Sequence, residues 1–289
     1  MSRDCVISAS EMGAQLNVRV GKNLWIGTKV IETRYDRLTS LETDLLSLAG
    51  FIYAADLAIK REPREENIRT IEIQIPIVNI HAFRRVLPVI EEALHVLSHD
   101  NWNLEFSAEN GVPEGGSTWP SLEGTTLLFS GGLDSFAGAC DLIQRNSPVT
   151  LVSHITHNRV VESAQAGLVK LIEQQFQREL DHLAVAVYGT NQSGYIFPKD
   201  AQREETQRTR SFLFVALAAV AAKKKRFTPL ASDGRERSIR NPPTSHIRSY
   251  RAVFNSYRPS TVSEINAGFA ARTVFMSGFN TRKSFRKFY

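Results

Sequence analysis

The hexapeptide Ser-Gly-Gly-Leu-Asp-Ser at residues 130–135 joins an apolar strand to a helix, and this junction limits the folds open to the chain. The strand is predicted at Thr125 to Phe129 and the helix at Phe136 to Arg145. The same alternation continues downstream, with strands predicted at 150–155, 183–188 and 227–231 and helices at about 160–180 and 203–224. Repeated β-α order is typical of a parallel sheet with helices on both faces, so an α/β fold is predicted here.

The glycine turn lies where a parallel sheet binds its ligands, at the carboxyl end of a strand and the start of a helix. The two glycines let a phosphate approach the backbone closely, the two serines add hydroxyl donors, and the helix dipole favours an anion. The aspartate would repel phosphate without a cation, which indicates Mg²⁺ held directly or indirectly by Asp134. The alternative is a turn that only connects two elements. The predicted nucleotide-binding residues are Ser130, Gly131, Gly132, Leu133, Asp134 and Ser135.

The turn matches neither the GxxxxGK[ST] phosphate loop nor GxGxxG. It resembles the SGGxDS signature of the PP-loop ATP pyrophosphatase family over all six residues. Within that family, residues 127–137 (LLFSGGLDSFA) look like the 7-cyano-7-deazaguanine synthase branch (QueC-like proteins), and the additional N-terminal part resembles relatives in anti-phage defence operons of the Qat type. The resemblance covers about residues 120–245. It implies an adenine nucleotide alpha hydrolase-like fold that binds ATP and Mg²⁺.

The segment Gln207 to Phe212 also resembles that branch, in which arginines at the start of a helix face the nucleotide. The resemblance implies that Arg208 contacts ATP and that Arg210 acts in catalysis together with Asp134. Guanidinium groups suit phosphate oxygens, which agrees with this assignment. Alternatively, both arginines lie on a solvated helix start and pair with nearby glutamates.

The activity implied by the resemblance is adenylation, in which a substrate oxygen attacks the α-phosphate of ATP and pyrophosphate leaves. A nitrogen nucleophile would then displace AMP. The acceptor would be a deazapurine or a protein partner from a defence operon. Two alternatives remain: a nucleotide-binding scaffold subunit without catalysis, and a nucleic-acid-binding protein.

The nucleic-acid alternative depends on an uneven distribution of charge. The chain carries a net charge of +5, but residues from Lys223 onward have fifteen Lys or Arg against three Asp or Glu, a net of +12. Residues 1–222 are therefore acidic, with a net charge of −7. A basic region of this kind can bind phosphate backbones, although its aromatic residues align only loosely with the charge.

Metal-binding residues other than Asp134 are sparse. The synthases that the chain resembles carry a cysteine-built zinc site in their C-terminal part, whereas no cysteine follows Cys140, so no zinc is predicted and Cys5 and Cys140 are expected to be free thiols. His154 and His157 are interpreted as polar residues at the rim of the site, because no third ligand is evident. The chain has no apolar run of about 18 residues and no signal peptide, which predicts a cytoplasmic location without membrane contact.

The first hundred residues are predicted to form a smaller α+β unit without a chemical signature. Thr39 and Glu42 form a capping box that starts a buried helix. Isoleucines alternate through 71–77 as in a strand, and Pro76 argues for a sheet edge. A helix near 82–97 and a strand at 102–106 follow. The predicted organisation is an N-terminal domain at 1–110, a linker at 111–123, a PP-loop domain at 124–231 and a basic tail at 232–289.

Overall fold

The computed structural model describes residues 3–9, 15–61, 68–113, 122–156, 158–192 and 194–227. Within these ranges the chain has eight strands, six α-helices and a short 3-10 turn at Asp200–Gln202. None of the helices in this described part is long and apolar enough to cross a membrane. The strands and helices follow the order β1 (Asp4–Ala9), β2 (Leu16–Arg19), β3 (Leu24–Ile26), α1 (Thr28–Arg34), α2 (Ser40–Ala58), β4 (Thr70–Ile77), α3 (Ile80–Ser98), β5 (Asn101–Ala108), β6 (Thr125–Leu128), α4 (Leu133–Gln144), β7 (Val149–Ile155), α5 (Arg159–Phe176), β8 (Asp181–Gly189) and α6 (Arg210–Lys225).

Strands β6, β7 and β8, together with the short strand β3, build a mixed sheet, called here the second sheet, with strand order β3-β8-β7-β6. Strands β6, β7 and β8 are parallel, as their β-α order predicts, and β7 is buried on both faces. On one face, Leu151 packs in a cluster with residues of α4 and α5. On the other face, Val152 joins a larger cluster that includes α6 and α2. The predicted α/β class is therefore confirmed, with helices packed against both faces.

The expectation of an entirely parallel sheet is wrong at one edge. Strand β3 lies beside β8 and runs antiparallel to it, with Trp25 opposite Tyr188. This strand comes from the first hundred residues and has only three residues, too few to show a periodic pattern in the sequence. The first hundred residues therefore contribute to the second sheet as well as to their own.

The first sheet has strand order β2-β1-β4-β5 and lies in the N-terminal part of the chain. The prediction that Pro76 marks an edge strand is wrong, because β4 pairs with β5 on one side and with β1 on the other. The β1 ladder covers residues 71–74 of β4, so Pro76 lies beyond it and its missing N–H removes no ladder hydrogen bond there. Pro88 lies inside helix α3, which continues through it from Ile80 to Ser98.

Helix α2 joins the two sheets into one hydrophobic core. Its predicted capping box is confirmed, since the Thr39 amide donates to the Glu42 carboxylate at 2.8 Å and the Glu42 amide donates to the Thr39 hydroxyl at 3.3 Å. Fifteen of its nineteen residues are buried, and it packs against β3, β4, β8 and α6. Residues 114–121 of the predicted linker lie outside the described residues, as do the tail at 232–289 and residues 228–231 of the predicted fourth strand.

Candidate functional site

The turn at residues 130–135 lies at the carboxyl end of β6 and leads into α4. Phe129 anchors it in the core with no exposed surface, and Gly131 takes a left-handed conformation with φ +83°. Gly132 is the N-cap of α4 and therefore provides no side chain to cap the first turn. The chain can reverse from strand to helix here because Gly131 tolerates a positive φ without strain.

Hydrogen bonds within the turn bring its two serines together. The Ser135 hydroxyl donates to the Gly132 carbonyl at 2.9 Å and lies 3.3 Å from the Ser130 hydroxyl oxygen. The Gly132 amide donates to the Ser130 hydroxyl at 3.3 Å. From α5, the buried side-chain amide of Gln165 donates to the Ser130 carbonyl at 3.1 Å. The backbone of the turn is thus held by hydrogen bonds with the hydroxyls of Ser130 and Ser135 and with the buried side chain of Gln165.

The outer side of the turn is open to solvent. Leu133 is 80% exposed, and Asp134 is exposed in the first turn of α4. The first amides of a helix lack intrahelical partners, and they carry a partial positive charge. Among the described residues there is no group of three His, Cys, Asp or Glu that could hold a metal. The start of this helix can bind an anion, and Asp134, the acidic residue of its first turn, can bind a cation that the anion carries.

A cavity of about 830 Å³ lies at the carboxyl ends of the neighbouring strands β7 and β8. Helix α5 connects it with the glycine turn, because Val161 lines the cavity while Gln165, one helical turn later, contacts Ser130. Its wall includes Tyr53 and Leu57 of α2, Val187 of β8, and Arg203, Gln207 and Arg210. The turn and the cavity thus share one edge of the second sheet, where parallel sheets bind ligands.

The structure separates the two arginines that the sequence grouped. Arg210 begins α6 and lines the cavity. The side chain of Arg208 extends toward the end of α3, where its Nη1 donates to the Ser98 carbonyl at 2.9 Å. Gln207 has a φ of +43°, and α6 begins at Arg210 rather than near residue 203 as expected. Because of this irregular segment, the Arg210 side chain lines the cavity, whereas the Arg208 side chain contacts the end of α3.

A buried charge cluster fixes the segment that leads into α6. Arg69 is fully buried, and its Nη2 lies 2.5 Å from an Asp56 oxygen and 2.6 Å from an Asp100 oxygen. The other Asp56 oxygen accepts hydrogen bonds from both the amide and the hydroxyl of Thr209, each at 2.9 Å. Asp56 therefore caps α6 from another helix, next to the wall residues Tyr53 and Leu57 on α2.

Glu204 holds the other end of this segment. Its amide donates to the Leu57 carbonyl at 2.9 Å, and its carboxylate accepts from the Arg61 amide at 2.8 Å and from the Thr206 hydroxyl at 2.6 Å. Burial raises the pKa of Glu204, but the hydrogen bonds from Thr206 and Arg61 outweigh it and lower the pKa to about 2. The segment 204–209, part of which lines the cavity, is thus bound at both ends by groups of the N-terminal part.

Several of these residues have no recognisable signal in the sequence. Tyr53 and Asp56 lie in a helix whose other residues are mostly apolar, and Gln165 is one polar residue on an amphipathic helix. His154 is fully buried and contacts Arg210, so its expected place at the rim of the site is wrong, whereas His157 lies outside the described residues. We found no match to the chain among protein-family models, curated proteins or solved structures.

Proposed function

We propose that this chain binds Mg²⁺-ATP on the turn at residues 130–135 and acts as an adenylating enzyme of the PP-loop pyrophosphatase type. The observation that carries the proposal is the start of α4, where two serine hydroxyls flank a helix N-terminus that no side chain caps. Such a start binds a polyphosphate through backbone amides. The sequence resemblance of the turn supports ATP as the source of that polyphosphate.

The residues of the chain then have distinct roles. The amides of residues 131–135 and the hydroxyls of Ser130 and Ser135 hold the phosphates, and Asp134 orients the Mg²⁺ that the nucleotide brings. Mg²⁺ neutralises charge on the phosphate oxygens when bound. Arg210 lies across the same sheet edge, where a guanidinium can stabilise the charge that develops at the α-phosphate. Arg208, which the resemblance also assigns to ATP, would have to leave Ser98 to do so.

The reaction we propose breaks the bond between the α-phosphorus of ATP and its bridging oxygen. A substrate carboxylate oxygen forms the new bond to that phosphorus, and pyrophosphate leaves with the electron pair. A nitrogen nucleophile then attacks the activated carbonyl and releases AMP. No side chain of the protein needs to act as a nucleophile, so the contribution of the chain is alignment and charge stabilisation. By resemblance, the acceptor is a deazapurine or a defence-operon protein.

Asp134→Ala tests the proposal by calorimetry with ATP in the presence and absence of Mg²⁺. We expect Mg²⁺-ATP to bind about 10- to 100-fold more weakly to the variant, because a charged interaction is lost. ATP without Mg²⁺ should bind no more weakly than to the wild type, since a repelling carboxylate has been removed. Asp141→Ala is the matched control, because Asp141 lies in the same helix but pairs with Arg145 at its far end.

Turnover is measured as pyrophosphate release from ATP with candidate carboxylic acids. Release that depends on the acid supports the enzyme. Tight Mg²⁺-ATP binding with no release, even when partner proteins are added, selects the scaffold alternative. Absence of any ATP or AMP binding to the wild type overturns the proposal.

A further inference from the structure

His154 is a buried polar residue that the proposed reaction does not use directly. It lies on β7 with no exposed surface, on the face of the second sheet covered by α6 and α2. Its ring meets the Tyr53 ring edge-on at a centroid distance of 5.3 Å and the Phe214 ring edge-on at 5.7 Å. These two contacts fix the plane of the imidazole.

The hydrogen bonds of His154 determine its tautomer. Its Nε2 lies 2.7 Å from the Val187 carbonyl, which can only accept, so Nε2 carries the proton. Its Nδ1 lies 3.3 Å from Nε of Arg210, which can only donate, so Nδ1 is an acceptor. The ring is therefore neutral. Burial agrees with this, because it lowers the pKa of His154 to about 4, with a smaller lowering from the Arg210 charge and an opposing effect of the Val187 bond.

The guanidinium of Arg210 makes a protein hydrogen bond through Nε, whereas its two terminal nitrogens make none among the described residues. Its Nε donates to His154, and its guanidinium carbon lies 5.4 Å from the centroid of the Phe214 ring. Within the described part of the chain, no carboxylate lies within ion-pair distance of Arg210. The two terminal nitrogens therefore keep their donors for a ligand in the cavity that Arg210 lines.

A free arginine side chain has many rotamers, and ordering it on a ligand opposes binding. A contact at Nε removes much of that freedom before the ligand arrives. A charged partner would restrain Arg210 equally well, but it would neutralise the guanidinium. A neutral imidazole restrains it and leaves its charge available.

We propose that His154 is a positioning residue for Arg210, which it orients so that both terminal nitrogens face an anionic group in the cavity. The assignment rests on the proposed function for the identity of that anion, a phosphate of ATP. The interaction of His154 with Arg210 itself requires no nucleotide.

Two variants separate the acceptor atom of His154 from its ring. His154→Phe keeps an aromatic ring for Tyr53 and Phe214 but lacks the acceptor. His154→Asn loses the ring but places its amide oxygen near the former Nδ1 position, where it can accept from Arg210. Each is combined with wild-type Arg210 and with Arg210→Ala, and urea unfolding identifies the folded variants.

The first measurement is Mg²⁺-ATP affinity. We expect His154→Phe to weaken binding about 3- to 10-fold when Arg210 is present and not at all in the Arg210→Ala background. The Mg²⁺-ATP affinity of His154→Asn should remain within about 2-fold of that of the wild type. Equal weakening by His154→Phe in both backgrounds, or an asparagine variant as weak as the phenylalanine one, would overturn the proposal, because the effect would then bypass Arg210.

The second measurement is the NMR signal of the Arg210 Nε–H, assigned by its loss in Arg210→Ala. Slow solvent exchange in the wild type and the asparagine variant, with fast exchange in His154→Phe, supports the proposal. Unchanged exchange in His154→Phe contradicts it. This measurement needs no ligand, so failure of the wild type to bind Mg²⁺-ATP would refute the proposed function while the Nε–H signal still decides the role of His154.

Discussion

Gly131→Ala probes the backbone of the turn at residues 130–135 and the glutamine behind it. A Cβ at residue 131 would lie 2.9 Å from Cγ of Gln165, closer than real Cβ contacts allow. Gln165 is 2% exposed and donates to the Ser130 carbonyl, so its side chain cannot move aside without breaking that hydrogen bond. The substitution also places an L-residue at φ +83°.

Two contributions determine the size of the effect. The left-handed backbone destabilises an alanine by about 1–2 kcal/mol relative to glycine. Displacement of Gln165 removes a hydrogen bond that contributes about 1 kcal/mol. We therefore expect Gly131→Ala to lower the free energy of unfolding by about 2–3 kcal/mol. When Gly131→Ala is made in the Gln165→Ala variant, where the clash is absent, it should lower the free energy of unfolding only by the backbone contribution of about 1–2 kcal/mol.

Gly132→Ala is the matched control. Its added Cβ would have the Ser130 hydroxyl oxygen as its nearest neighbour, at an ordinary 3.5 Å, and its φ of −86° suits any residue. We expect a loss of stability below about 1 kcal/mol, of the size seen when alanine replaces a better N-cap residue. Mg²⁺-ATP affinity should nevertheless fall, because the methyl group lies beside the amides proposed to hold phosphate.

Urea denaturation of the three variants and the double variant, with equal m-values, gives these free energies. If Gly131→Ala is no more destabilising than Gly132→Ala, or if its effect is the same with and without Gln165, the account of the turn is incorrect.

Three further predictions concern buried ionisable side chains. Arg69→Met should lower the free energy of unfolding by about 3–5 kcal/mol, because it removes the guanidinium that pairs with buried Asp56 and leaves buried Asp100 with Arg61 as its ion-pair partner among the described residues. Arg19→Met, which breaks an exposed pair with Asp4, should destabilise the protein far less in the same urea assay. Burial lowers the pKa of His154 to about 4 in the folded chain, whereas its pKa in the unfolded chain is near 6.5. The neutral folded form is therefore fully favoured above pH 6.5, and the free energy of unfolding should fall by about 3 kcal/mol as the pH falls to 4. Urea titrations should show a smaller fall in His154→Phe, and an equal fall would contradict the assignment. The pKa of Glu204 is lowered from 4.5 to about 2 in the folded chain. Its ionised carboxylate therefore stabilises the fold above pH 4.5, and this stabilisation is lost as the pH falls from 4.5 toward 2. In an acid titration of the free energy of unfolding, Glu204→Gln should lack this loss between pH 4.5 and 2.

Local patterns predicted the parts of the fold that depend on neighbouring residues. The capping box of Thr39 and Glu42 needs only four consecutive residues, and it is formed. Strands β7 and β8 were predicted within two residues of their observed ends, because continuous apolar runs and alternating patterns are visible along the chain. The position of the glycine turn at a strand-helix junction followed from the same patterns.

Features that depend on distant residues were not predictable in this way. Pro76 was misread because its tolerance depends on where the β1 ladder ends, which the sequence of β4 does not contain. Arg208 and Arg210 are two residues apart, but the positive φ of Gln207 and the cap from Asp56 send them to different partners. Asp56 and Thr209 are 153 positions apart, so no local pattern could relate them.

The placement of β3 beside β8 has a consequence for how this protein can be divided. A fragment that begins near residue 122 would lose the edge strand, the capping carboxylate of α6 and the Tyr53 side of the cavity in a single cut. The bare β8 edge would then offer unpaired backbone groups to other molecules, a recognised cause of aggregation. Expression of the chain from residue 122 onward alone should therefore give insoluble material, and co-expression with residues 1–113 as a separate polypeptide should restore solubility by strand complementation.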